Sequence, residues 1–204
     1  EPGDKGAWKW EVAVRALEGP ADVVAVTFPI IEHIRLGRSG LDDIQFRMQS
    51  FGHQTVQPGK QPIRDTSYCG QTVMPWNEVY DGDGGLYLGA HDPTATNVLF
   101  GSRSGGIDAE QFSMWARKLN DVKPGEGVTY PYVLAAHPGQ WHWGADRYRE
   151  WFYGAFGRPQ YPDWLGACDG WLDLQAENYG KSFRFEQLPD WLSRACALGL
   201  DWVQ

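Results

Sequence analysis

The chain has 204 residues, 42% apolar and 22% charged, which suits one large domain or a domain with part of another and excludes a disordered or collagen-like chain. A formal net charge of −8 without a basic stripe excludes a phosphate-backbone binder and argues against an anionic membrane surface. No run of about 18 apolar residues offers a membrane-spanning helix.

In chain order, the first part reads as β. Residues 8–17 (WKWEVAVRAL) alternate apolar and polar with period two, as in a strand with one wet face, and Gly19-Pro20 ends them. Residues 23–35 form a second run, where Pro29 predicts a bulge or a sheet edge. Residues 37–40 are a loop, and the polar stretch 52–70, with Pro58, Gly59 and Pro62, reads as a long surface loop. Residues 78–89 give the clearest hairpin: two short apolar strands around Asp81-Gly82-Asp83-Gly84-Gly85, whose Asp-Gly pairs suit positive-φ turn positions. Residues 97–101, 111–119 and 128–136 continue the series, with a Gly-rich loop at 101–106 and a turn at 123–127. Strands at this spacing predict an antiparallel β-sandwich over residues 1–136.

The pattern then changes. Trp141, Ala145, Tyr148, Phe152 and Phe156 fall on one helical face, and Gly157 and Pro159 end that helix, which makes 137–162 a linking helix. A strand at 170–175, a helix at about 188–198 with Pro189 in its first turn, Gly199, and a strand at 200–204 make a βαβ unit. Such a unit implies parallel strands, so residues 163–204 read as the incomplete start of a (β/α)8 barrel. The start at Glu1 and a final strand without a cap suggest a piece of a longer protein.

Few residues carry a specific chemical signal. Asp81-Gly82-Asp83 resembles a calcium loop only partly, since position 12 counted from Asp81 is Asp92 and not Glu; a hairpin turn is the simpler reading. His91-Asp92 could serve acid–base chemistry, but neighbours in a strand face opposite ways, and Asp before Pro starts turns. The histidines have no metal-ligand spacing and no cofactor motif is present, so no metal or cofactor is expected. Cys69, Cys168 and Cys196 are too few for a disulfide framework; Cys69 and Cys168 could pair in an oxidising compartment, and Cys196 reads as a small buried side chain. The 11 Trp, 9 Tyr and 9 Phe suit either core packing or platforms for a sugar ring, and Trp76 and Trp143 are candidates for the second role. In (β/α)8 enzymes the site lies at the C-terminal strand ends, which here selects Asp173, Gln175, Glu177, Asn178 and Gln204 as candidate substrate-binding residues for sugar hydroxyls.

Residues 79–93 (VYDGDGGLYLGAHDP), 143–152 (WGADRYREWF) and 188–192 (LPDWL) resemble a bacterial family of glycoside hydrolases similar to α-galactosidase-like enzymes. The resemblance covers most of residues 70–204. It implies a β-sandwich followed by a (β/α)8 barrel, a carbohydrate partner, and catalytic carboxylates on barrel strands beyond Gln204, with the rest of that barrel as the chain's own partner. Two rival readings are a non-catalytic carbohydrate-binding β-sandwich and a mutarotase-like aldose epimerase with a His and a carboxylate as acid and base.

Overall fold

Among the described residues of the chain's first part, alternating side chains make ten strands that join one hydrogen-bonded sheet. The computed structural model describes residues 6–20, 22–50, 52–105, 109–166, 171–172, 184–200 and 202–203, and the chain forms two units, Glu1–Gly157 and Arg158–Gln204. In the first unit the strands are β1 (Ala7–Arg15), β2 (Val23–Ile34), β3 (Ile44–Gln49), β4 (His53–Val56), β5 (Arg64–Tyr68), β6 (Thr72–Tyr80), β7 (Gly85–Gly89), β8 (Val98–Ser104), β9 (Phe112–Val122) and β10 (Gly127–His137). Their order is β1-β10-β7-β6-β5-β8-β9-β2, with β3 branching from β6 and carrying β4.

This mainly β sheet is nearly closed into a barrel, where the sequence suggests two separate sheets. The reason lies in β5, which pairs fully with β8 and meets β6 at Tyr68 and Thr72, so one hydrogen-bonded path runs through both halves. The main path of strands ends at β1 and β2, and Trp10 and Phe28 meet between these ends with ring centroids 5.8 Å apart. Pro29 behaves as expected: β2 is an edge strand and its register with β9 shifts between Thr27 and Ile30.

Period-two alternation decides what each face buries. Inside, Tyr130, Tyr132 and Leu134 of β10 pack with Leu88, Phe100, Phe112 and Met114. Outside, Val133 and Ala135 of the same β10 join Phe46, Trp76 and Tyr87 beneath helix α1 (His142–Phe156). The α1 stripe holds for four of its five residues: Trp141, Ala145, Tyr148 and Phe152 pack on this outer face, Phe156 at the end of the helix is exposed, and Gly157 ends the helix at φ 79°.

The stretch 52–70 corrects the sequence reading. It contains β4, a 3-10 turn at Pro58–Lys60 and β5, not one surface loop, and Pro58 and Gly59 are buried. Its inward positions are filled by Thr55 and Thr66, so the alternation is present without an apolar signature.

The second unit holds α2 (Asp163–Gly166), α3 (Leu188–Ala197) and two short strands, β11 (Trp171–Leu172) and β12 (Trp202–Val203). β11 and β12 pair in parallel, as the βαβ reading requires. On α3, Ala195 is buried while Trp191 and Leu192 are partly exposed, and Cys196 is exposed, contrary to its reading as a buried side chain. No helix among the described residues is long and apolar enough to cross a membrane.

Candidate functional site

Inward positions of β9 run Phe112, Met114, Ala116 and then Lys118, so the strand's own alternation drives a lysine into the end of the barrel. Its ammonium donates to Asp92 Oδ2 at 2.6 Å and to the carbonyl of Thr96 at 2.8 Å, and lies 5.7 Å from the centre of the Tyr130 ring. Asp92 follows β7 in a turn that it builds itself, since Oδ1 accepts the Thr94 N–H at 2.9 Å and the Thr94 hydroxyl at 2.6 Å. The two side chains are 1% and 5% exposed, so the ion pair is shielded from solvent. Burial raises the Asp92 pKa, but the hydrogen bonds from Lys118 and Thr94 outweigh it and hold the carboxyl below its ordinary value. Burial pulls Lys118 the other way, below the usual ammonium value. The short contact, the three hydrogen bonds that Asp92 accepts and the two that Lys118 donates favour the ionised form of both groups.

A cavity of about 250 Å³ opens beside this pair. Tyr148, Trp151, Phe152 and Phe156 of α1 wall one side, and Tyr68, Asp92 and Lys118 close the barrel end. The cavity offers aromatic faces and one locked carboxylate. Glycoside hydrolysis needs two carboxyl groups flanking the bond, so the cavity suits binding rather than cleavage.

Of the candidate site residues singled out in the sequence, Asp92 lines this pocket among the described residues. His91 and Asp92 do face opposite ways: Asp92 enters the barrel end, while His91 stacks on Trp151 at 4.7 Å and its Nε2 lies 2.9 Å from the Tyr87 hydroxyl. Burial, with smaller contributions from Arg147 and Lys9, pushes the His91 imidazole down to about 3, which keeps it neutral. Asp81 is a turn residue, since its Oδ1 accepts the N–H groups of Asp83 and Gly84 at 2.7 and 2.9 Å. Trp76 is fully buried and stacks on Phe46 at 5.5 Å, so its ring offers no open face to a sugar. Trp143 is half-buried and lies flat on His137, 4.3 Å away and 2° from parallel, which occupies one face of the ring. Asp173, Gln175, Glu177, Asn178, Gln204 and Cys168 lie outside the described residues.

A second polar cluster sits under the first turn of α1. His137 Nε2 is 3.2 Å from Glu78 Oε1, both side chains are 0% exposed, and neither group makes a hydrogen bond there. The separation is that of an ion pair without the alignment of a hydrogen bond. Burial raises the Glu78 pKa, and His137 and His142 oppose it. A Cβ on Gly144 would overlap the Glu78 carboxylate, so a glycine lets the helix start lie on this pair.

Sequence reasoning missed Lys118 and Tyr68. The signal for Lys118 is legible afterwards as a lysine in phase with three inward apolar residues. Among the described residues no group of three or more His, Cys, Asp or Glu is placed to hold a metal ion. No protein-family model matches this chain and no curated protein matches it, so its chemistry is read from the geometry alone.

Proposed function

We propose that the chain is the β domain and barrel start of a carbohydrate-active glycoside hydrolase. The observation that carries this reading is the parallel pairing of Trp171 with Trp202 and Leu172 with Val203 on either side of α3, in a chain whose first unit is mainly β. A two-stranded parallel pair buries too little to stand alone, because parallel strands occur in sheets covered on both faces. Further βα units would supply that cover, and a (β/α)8 barrel is the architecture the motif resemblance implies. The first unit, one sheet joined at Tyr68 and Thr72 around one core, serves in this reading as the mainly β domain that precedes the (β/α)8 barrel. The locked Asp92 supports catalytic carboxylates elsewhere, at barrel strand ends. The full-length natural gene product is expected to cleave at least one substrate in a panel of aryl glycosides; a folded protein that cleaves none would contradict the reading.

The cavity favours a second reading, a carbohydrate-binding module without catalysis, because an aromatic wall faces polar groups at one end. Oligosaccharide binding by the 1–204 chain in calorimetry, weakened about tenfold or more by Trp151→Ala, is the expected result for it; absence of binding contradicts it. The epimerase reading has less support. It needs a His and a carboxylate that share one substrate atom, and His91 turns to Trp151 while the Glu78–His137 pair is sealed under α1.

A further inference from the structure

Among the described residues of the first unit two cations are fully buried, Lys118 and Arg47, and the fold treats them differently. Lys118 has its carboxylate at 2.6 Å. Arg47, on β3 opposite Asn77 of β6 and His53 of β4, is 2% exposed and forms no ion pair among the described residues. Its Nη2 donates to Thr55 Oγ1 at 3.1 Å and lies 3.4 Å from His53 Nδ1, both neutral acceptors. Nε and Nη1, which carry three of the five guanidinium N–H donors, are buried without a hydrogen-bond partner among the described residues. Gln45 on the same strand donates to Asn77 at 3.3 Å and accepts from Ser102 at 3.1 Å, while Asn77 Nδ2 is buried without a hydrogen-bond partner among the described residues. The neighbouring charge that Arg47 feels is a second cation, Arg64 of β5, which adds to burial in pulling its pKa down. Burial, Arg47 and Arg64 together also pull His53 down, which keeps it uncharged and able to accept.

A buried guanidinium with idle donors and no counter-ion is destabilising unless ordered water or an anion joins it, and only an anion also balances the charge. The guanidinium fork fits the oxygens of carboxylate, sulfate and phosphate. Arg64 and His53 are exposed, His53 Nδ1 lies 3.4 Å from Arg47, and Arg64 is near enough for its charge to act on both. We propose that Arg47, with Arg64 and His53 at its rim, forms a binding site for an oxyanion, taken either as a free ion or as the acidic group of a sugar.

The test uses the 1–204 chain with sodium sulfate and sodium glucuronate as probes, at constant ionic strength set with chloride, read by calorimetry and thermal melting. Sulfate at about ten times its Kd is expected to raise the melting temperature by roughly 3–6 °C. Arg64→Gln, a surface change that leaves the fold intact, is expected to weaken binding about threefold or more, and Arg47→Met to abolish it. Arg47→Met is also expected to melt no lower than the parent protein in sulfate-free buffer, because it removes an uncompensated buried charge. Tighter binding of glucuronate than of sulfate would support the site and assign it to an acidic sugar; the reverse would support it and assign it to a free ion. Absence of binding by both probes, an equal shift with chloride, or binding undiminished in Arg64→Gln and Arg47→Met would overturn the proposal.

Discussion

Gly144 and Gly154 occupy the same helix and are expected to answer alanine substitution with opposite signs. A Cβ at Gly154 meets nothing within 4 Å, so Gly154→Ala is expected to stabilise by about 0.5–1 kcal/mol through helix propensity. A Cβ at Gly144 would run into the Glu78 carboxylate and the Tyr87 ring, so Gly144→Ala is expected to destabilise by about 1–3 kcal/mol despite the same propensity gain. Urea titrations of the two variants check both signs. His91 carries the pH dependence at this scale. Folded His91 stays neutral down to about pH 3, whereas an unfolded histidine takes a proton near 6.5. Between those values the unfolded state binds more protons, so the contribution of His91 to stability is lost as pH falls through that window. His91→Phe keeps a ring against Trp151 and removes the titration. From pH 6 to pH 4 the parent protein is expected to lose about 2–3 kcal/mol more than this variant. Asp43, pushed up to about 6 chiefly by burial, acts in the opposite direction over part of the same window, but it is common to both proteins and drops out of the difference. Equal losses in the two proteins would contradict a buried neutral His91.

At the scale of elements, the β6–β7 hairpin depends on Asp81 as a turn residue. Asp81→Ala removes the acceptor for two backbone N–H groups, and a loss of about 1–2 kcal/mol in chemical denaturation is expected, with the melting temperature indifferent to added calcium. The hairpin, the α1 stripe and the edge character of β2 were legible in the sequence because each has a local signature: Asp-Gly pairs, apolar residues at helical spacing, and Pro29 within an apolar run. β3, β4 and β5 were not, and the reason is chemical. β4 and β5 put Thr55 and Thr66 inward and carry no hydrophobic period, whereas β3 alternates apolar Ile44, Phe46 and Met48, which join the outer cluster beneath α1, with the buried polar Gln45 and Arg47. The candidate pocket was half legible. Its aromatic wall follows from the helical stripe, but its ion pair joins residues 26 apart in sequence, Asp92 and Lys118, and only the sheet brings them together.

For the whole molecule, one sheet running through both halves of the first unit makes a shared core, and that core leaves α1 to cover the outer face of β3, β6, β7 and β10. The tryptophans serve this arrangement: Trp76 and Trp141 stack through Phe46, and Trp151 seals His91, so much of the aromatic excess is packing between sheet and helix rather than an open sugar platform. The second unit supplies the parallel pair from which the hydrolase reading is built. That reading is tested most directly by the turnover of aryl glycosides by the full-length natural gene product. The expected result is steady release of the aryl alcohol from at least one glycoside. A folded, monodisperse protein that releases none across α- and β-linked hexosides and pentosides would contradict it.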